Sequence, residues 1–184
     1  MRNPVRYRAA TAIRGLAALL FAIPLLLWAE VDTNGLVVAF AGYALLSAVA
    51  SLIAAYDGES RALALLSGAN LVAGVLFLMG REIDLLSAVY ALGAWAMMTG
   101  ILEMFASGTI AAQPSVRWRR VAAGLTMTGL GVLLGLFPEL DVASLGRLLG
   151  ASILLFGLIL LAPIDLLRDR RRRGPLAWPA RRGA

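Results

Sequence analysis

Six long apolar runs constrain the fold of this chain more than any other feature. A helix rises about 1.5 Å per residue, so roughly 20 residues cross the hydrocarbon core of a bilayer. Six runs approach that length: residues 15–29, 35–56, 62–79, 85–106, 121–137 and 142–167. Arg14, directly before the first run, is expected to extend towards the interface, and Arg147 lies inside the last run. They predict an all-α polytopic membrane protein with six transmembrane helices.

Composition supports a lipid environment. The chain is 60% apolar and 15% charged, whereas an average soluble domain is about 45–50% apolar and about 25% charged. A chain of 184 residues is too small to bury this excess in its own interior. The first run follows basic residues, as in a signal peptide, but it is too long and no cleavage site follows, so a retained helix is predicted.

The chemistry available to the chain is narrow. It has no Cys and no His, so thiolate chemistry, thiolate metal sites and the commonest general base are excluded. All 17 basic residues are Arg, so no lysine Schiff base can form. These counts predict a protein that is not an enzyme and has no catalytic residue, metal ligand or cofactor.

The arginines predict the orientation. Fifteen of the 17 fall on the side of the two termini, which leaves Arg81 and Arg147 opposite. The positive-inside rule therefore places both termini in the cytoplasm. A basic tail contains Arg170, Arg171, Arg172 and Arg173. Directly after a span, such a run is expected to contact anionic lipid heads rather than nucleic acid.

The chain contains three copies of one helical hairpin. Its three outward loops share the pattern Glu-x-Asp and are 52 and 57 residues apart: Glu30 and Asp32, Glu82 and Asp84, Glu139 and Asp141. The second and third copies align without a gap, and the first is aligned with one extra residue after Asp32, which puts Gly42 opposite Gly93. The predicted units are a cytoplasmic segment (1–10), hairpins at 11–56 and 61–106, a cytoplasmic loop (107–120), a third hairpin (121–167) and the tail (168–184). The copies run in the same sense, as parallel repeats.

These residues resemble the HdeD family of small bacterial inner-membrane proteins linked to acid resistance. The resemblance rests on a glycine early in each even-numbered helix and a second glycine with an aliphatic residue seven positions later. Gly93 with Gly100-Ile101 and Gly150 with Gly157-Leu158 match this pattern, as does the helix-ending Phe137-Pro138. Arg81 stands where the second hairpin would have that Pro, and Val49 where the first would have the second glycine. The resemblance implies a stress-associated protein of the bacterial inner membrane.

Small residues on the helices predict close packing. Glycines spaced by four or seven let helix backbones approach in lipid, either within the chain or in a homo-oligomer. The predicted packing residues are Gly93, Gly100, Gly131, Gly135, Gly146, Gly150 and Gly157.

Polar residues at the membrane give two sets of candidates. The acidic loop residues predict either caps on the even-numbered helices or an outer acidic rim that collects cations. Asn70, Glu103 and Arg147 are intramembrane polar candidates. Glu103 is predicted to lie at the membrane interface or to act in a proton relay. Asn70 is predicted to hydrogen-bond across helices or to line a polar cavity.

Three functions follow from these features. The first is a non-enzymatic HdeD-like protein that supports acid or envelope stress resistance. The second is a small channel or transporter for protons or cations, and the third is a scaffold subunit with a membrane-protein partner.

Overall fold

The computed structural model describes residues 4–27, 32–58, 61–80, 83–110 and 114–162. These residues form six helices. Glu30, Glu82 and Arg170 to Arg173 lie outside the described residues. The helices are α1 (Pro4–Leu27), α2 (Thr33–Gly58), α3 (Arg61–Met79), α4 (Leu85–Ile110), α5 (Pro114–Leu136) and α6 (Val142–Leu161).

The surface of the helices is apolar. Large side chains such as Leu20, Leu65, Leu76 and Phe105 are more than 60% exposed, a pattern that in water would favour aggregation and that suits contact with lipid. Four helices are long and apolar enough to cross a membrane, namely α2, α3, α4 and α6. The apolar part of α1 is shorter, and α5 begins with a basic segment. The helical fold predicted from the sequence is confirmed, and the protein is membrane-embedded.

The segment predicted as a loop at 107–120 is largely helical. Helix α4 continues to Ile110 and α5 begins at Pro114, where proline suits the first turn because it lacks the N–H that would have no partner there. The prediction missed this because apolar length marks the part of a helix in hydrocarbon, whereas the helix itself continues into the polar region.

The six helices form a closed ring. Each helix contacts its neighbours in the chain, and α1 contacts α6. The most extensive contacts join α2 to α3, α4 to α5 and α6 to α1. Each of these pairs joins an even-numbered helix to the next odd-numbered one, so the packing repeats three times around the ring.

Contacts at glycines fix how the repeats correspond. A side chain at Gly131 of α5 would meet the Gly93 carbonyl, and one at Gly74 of α3 would meet the Ala41 carbonyl. Gly74 and Gly131 are 57 residues apart, so their partners Ala41 and Gly93 are equivalent. The first hairpin therefore matches the second at a constant spacing of 52. The predicted extra residue after Asp32 is wrong: Ala41, not Gly42, lies opposite Gly93.

Candidate functional site

A buried ion cluster joins three helices in the interior of the bundle, towards the end where α4 ends and α5 begins. Arg14 of α1, Glu103 of α4 and Arg120 of α5 are each at most 2% exposed. Arg120 Nη1 donates to Glu103 Oε1 at 2.7 Å, and Arg14 Nη1 lies 3.3 Å from Glu103 Oε2. We call these three residues the Arg–Glu–Arg cluster.

The Arg14 side chain reaches across the ring. Helices α1 and α4 lie on opposite sides of the six-helix ring, yet Arg14 contacts Glu103 of α4. Its guanidinium carbon also lies 5.7 Å from the ring centre of Phe156 on α6, a distance typical of a cation–π contact. The cluster thus connects α1, α4, α5 and α6.

Two sequence-based expectations are corrected here. Arg14 does not extend to the interface; it is buried against Glu103. Arg120 does not belong to a cytoplasmic loop, because it lies inside α5 and is buried against the same carboxylate. The physical reason is that a charge of opposite sign on a facing helix makes an interior position favourable, and sequence distance conceals that partner. Glu103 itself is fully buried.

The Arg–Glu–Arg cluster breaks the threefold repeat. At the spacings of 52 and 57, the equivalents of Arg14 and Arg120 in the second repeat are Leu66 and Leu63, and the equivalent of Glu103 in the third is Leu160. All three leucines are buried. The cluster therefore replaces part of an apolar core that the other repeats retain.

Further polar side chains are buried on α2. Tyr43 and Ser47 lie one turn apart on α2 and are both buried. Ser51 is the α2 equivalent of Glu103 and is buried. Together with the cluster, these groups make the interior polar at the end of the bundle where α4 ends and α5 begins.

An aromatic layer lies further towards the Glu-x-Asp loops. Phe40 of α2 contacts Trp95 of α4 and Phe77 of α3, with ring centres 4.5 and 4.9 Å apart. Trp95 Nε1 donates to Asn70 Oδ1 at 2.9 Å. Asn70 therefore hydrogen-bonds across helices, as one of its two interpretations predicted, and the layer fills the interior between α2, α3 and α4.

The described aspartates of the outward loops cap helices. Asp32, Asp84 and Asp141 accept hydrogen bonds from backbone N–H groups three residues later, at 2.9, 3.0 and 3.2 Å. These bonds satisfy donors at the starts of α2, α4 and α6 that have no partner within the helix. Among the described residues, no group of three acidic side chains is placed to hold a metal ion. Glu139 and Arg147 are exposed near the start of α6.

The caps carry a pH dependence that can be measured. Hydrogen bonds from Ser87 and Ser144 hold the pKa values of Asp84 and Asp141 below their ordinary value of 3.8. A lowered folded-state pKa stabilises the protein above the unfolded value, and this contribution is lost as the pH falls through the folded value. We expect Asp84→Asn with Asp141→Asn to retain the caps, because Asn is also a good N-cap. The loss of thermal stability below about pH 4 should then be smaller than in the wild type. Superimposable melting curves across that range would contradict the assignment.

Most of the predicted packing glycines lie at contacts within the chain. Gly93, Gly100 and Gly131 lie between α4 and α5, whereas Gly150 and Gly157 lie between α6 and α1. A Cβ atom at Gly157 would fall 2.9 Å from the Gly15 carbonyl oxygen. Gly146 is only in ordinary contact range of Leu36, and Gly135 faces open space. Close packing within the monomer thus accounts for five of the seven.

A protein-family model described as a short repeat of unknown function (DUF308) matches residues 13–79 and residues 65–134. The chain belongs to this family. The DUF308 repeat defines the HdeD-like proteins, so the resemblance to HdeD is confirmed. The two DUF308 matches begin 52 residues apart, which is the spacing that the helix contacts give for the first two repeats. No curated protein and no solved structure matches the chain.

The DUF308 matches also cover the Arg–Glu–Arg cluster. The two matched segments together contain Arg14, Glu103 and Arg120. What marks these residues in the sequence is a charge adjoining or inside an apolar run. That feature singles out Glu103 in the sequence, but it pairs neither arginine with this carboxylate.

Proposed function

We propose that this HdeD-like chain is a non-enzymatic membrane protein that supports bacterial survival under acid or envelope stress. The observation that carries the proposal is the Arg–Glu–Arg cluster, in which a buried glutamate is held by two arginines. Removing one partner from a buried ion pair is strongly destabilising, so the cluster suits a structural role, whereas a catalytic group must reach a substrate. The lack of Cys, His and Lys agrees with a role that needs no chemistry.

The arrangement of charges suits a protein exposed to acid on one side. With the termini in the cytoplasm of an inner-membrane protein, as proposed from the arginines, the Glu-x-Asp loops face outwards. The cluster then lies at the opposite end of the bundle, separated from the outer solution by the aromatic layer. The Asp84 and Asp141 carboxyls keep their charge to a lower pH than ordinary aspartates, because their pKa values are lowered. The position of the cluster favours persistence of the bundle at low external pH, whereas the caps lose their contribution once the pH falls through these lowered values.

A channel or transporter for protons or cations is the second candidate. The polar interior around Glu103 favours it, since ionisable groups within membranes mark many ion paths. The aromatic layer opposes it, because Phe40, Phe77 and Trp95 occupy the interior that a path would cross. Loss of proton or cation flux in proteoliposomes of Glu103→Gln, relative to the wild type, would favour transport.

Gene deletion with complementation tests the stress proposal. We expect the deletion strain to survive acid and envelope stress less well than its parent, and the wild-type gene to restore survival. Gly129→Ala should also restore it, because Gly129 faces open space, whereas Gly100→Leu should fail, because Gly100 packs against α5. The measurement is colony counts after exposure, with protein levels checked in the membrane fraction. Equal survival of deletion strain and parent under both stresses would contradict the proposal.

A further inference from the structure

The charge of Arg14 is matched less closely than that of Arg120. Both contact Glu103, but Arg120 does so at 2.7 Å and Arg14 at 3.3 and 3.5 Å. Charge-assisted hydrogen bonds between N–H donors and carboxylates are typically about 2.7–2.9 Å long. An arginine cannot lose its proton in a protein, so the buried Arg14 guanidinium remains a cation with a weak partner.

One edge of that guanidinium has an unused donor. Glu103 is contacted through Nη1 alone, and Arg14 Nε is buried without a hydrogen-bond partner. Nε belongs to the edge with which arginine binds anions in a two-pronged manner. A buried donor without a partner keeps the full cost of its desolvation, so an acceptor at this edge would be strongly favoured.

Two buried hydroxyl groups, one on α2 and one on α4, are also unused. Ser51 Oγ and Thr99 Oγ1 are buried and have no partner. This is unusual for hydroxyls on helices, which commonly bond to a backbone carbonyl. In this chain Ser107 and Thr126 bond carbonyls of their own helices and Ser67 bonds one of α2, whereas Thr128 Oγ1 on α5 is also buried without a partner. Ser51 and Thr99 instead keep their donors available to the interior.

The threefold repeat brings these groups towards Arg14. Thr99 of α4 is the equivalent of Phe156 of α6, and the Phe156 ring lies beneath the Arg14 guanidinium. Ser51 of α2 is the equivalent of Glu103, which contacts Arg14 directly. Equivalent positions on α2, α4 and α6 face the same central axis, so both hydroxyls belong to the two layers that Arg14 touches.

We propose that a small monovalent inorganic anion binds at the centre of the bundle beside Arg14. It accepts hydrogen bonds from Arg14 Nε–H and from the hydroxyls of Ser51 and Thr99. The site lies at the Nε edge of the Arg14 guanidinium, whereas Glu103 is bound at Nη1. Glu103 is held by Arg120, and the anion supplies the closer counter-charge that Arg14 lacks.

Chloride and bromide are the probes for this site. The purified full-length protein in detergent is melted in sodium chloride, sodium bromide or sodium gluconate at equal ionic strength, with gluconate as the larger organic anion. We expect the melting temperature to rise and saturate with chloride and bromide but not with gluconate, because a ligand that binds only the folded state stabilises it. Chloride NMR line broadening measures binding directly.

Hydroxyl variants show whether the anion binds where proposed. Thr99→Val and Ser51→Ala each remove one donor and leave Arg14 and Glu103 in place. We expect each to weaken apparent chloride affinity about tenfold or more, because hydrogen bonds to charged groups are strong. Thr126→Val is the matched control, since its hydroxyl bonds the Ala122 carbonyl; its chloride dependence should equal that of the wild type.

Two results would overturn the proposal. Equal melting temperatures in chloride and gluconate would mean that water alone satisfies Arg14 and the hydroxyls. A chloride effect of the same size in Thr99→Val, Ser51→Ala and Thr126→Val would mean that the salt acts elsewhere on the protein.

Discussion

Glu103→Ala is expected to lower the free energy of unfolding by about 3–5 kcal/mol, the usual cost of removing one partner from a buried ion pair. The change leaves Arg14 and Arg120 buried, at 1% and 2% exposure, without the carboxylate that both contact. Neither arginine can become neutral, so the bundle must either admit water or separate α1 and α5 from α4. The measurement is unfolding by denaturant titration in mixed micelles.

A triple leucine variant is the matched control for this prediction. Arg14→Leu, Glu103→Leu and Arg120→Leu together place at each position the residue found at an equivalent position of another repeat: Leu66, Leu160 and Leu63. Replacing a whole buried ion cluster by apolar residues is often neutral or stabilising, so we expect the triple variant to recover most of the loss. A Glu103→Ala protein that unfolds like the wild type would show that the cluster does not hold the helices together.

Gly100→Ala is expected to destabilise the protein by about 1–3 kcal/mol, the usual cost of overpacking. A Cβ atom there would fall 2.5 Å from both the Gly124 carbonyl oxygen and the Thr128 backbone nitrogen. These are backbone atoms of α5, so the clash cannot be relieved by rotating a side chain. Helices α4 and α5 would have to move apart along their contact, which also includes Gly93 and Gly131.

Gly129→Ala controls for the change of residue type. Gly129 is also inside a helix, but a Cβ atom added there would meet no neighbouring atom within 4 Å. We expect no loss of stability there, and a gain of less than about 1 kcal/mol because alanine favours helix more than glycine does. The same denaturant titration compares the two variants. If both lose stability equally, glycine flexibility rather than helix contact explains the result.

The helices and their caps were predictable because their causes are local. Apolar length locates α2, α3, α4 and α6, and an aspartate before each even-numbered helix supplies an acceptor within three residues of its donor. The repeat was visible for the same reason, since the Glu-x-Asp pattern recurs in the sequence. Its alignment in the first hairpin was wrong by one residue. Matching Gly42 to Gly93 relied on residue type, whereas the contact at Gly74 shows that an alanine serves at this position.

The sequence by itself determined that lipid surrounds this chain and that its helices come in three similar pairs, because hydrophobicity and spacing are properties of the linear order. Only the tertiary structure decided that Arg14, Glu103 and Arg120 meet. Arg14 and Glu103 are 89 residues apart in the chain, and no pattern in the sequence links them. Closure of the ring brings α1 opposite α4, and in that interior a charge is stable only beside its counter-charge.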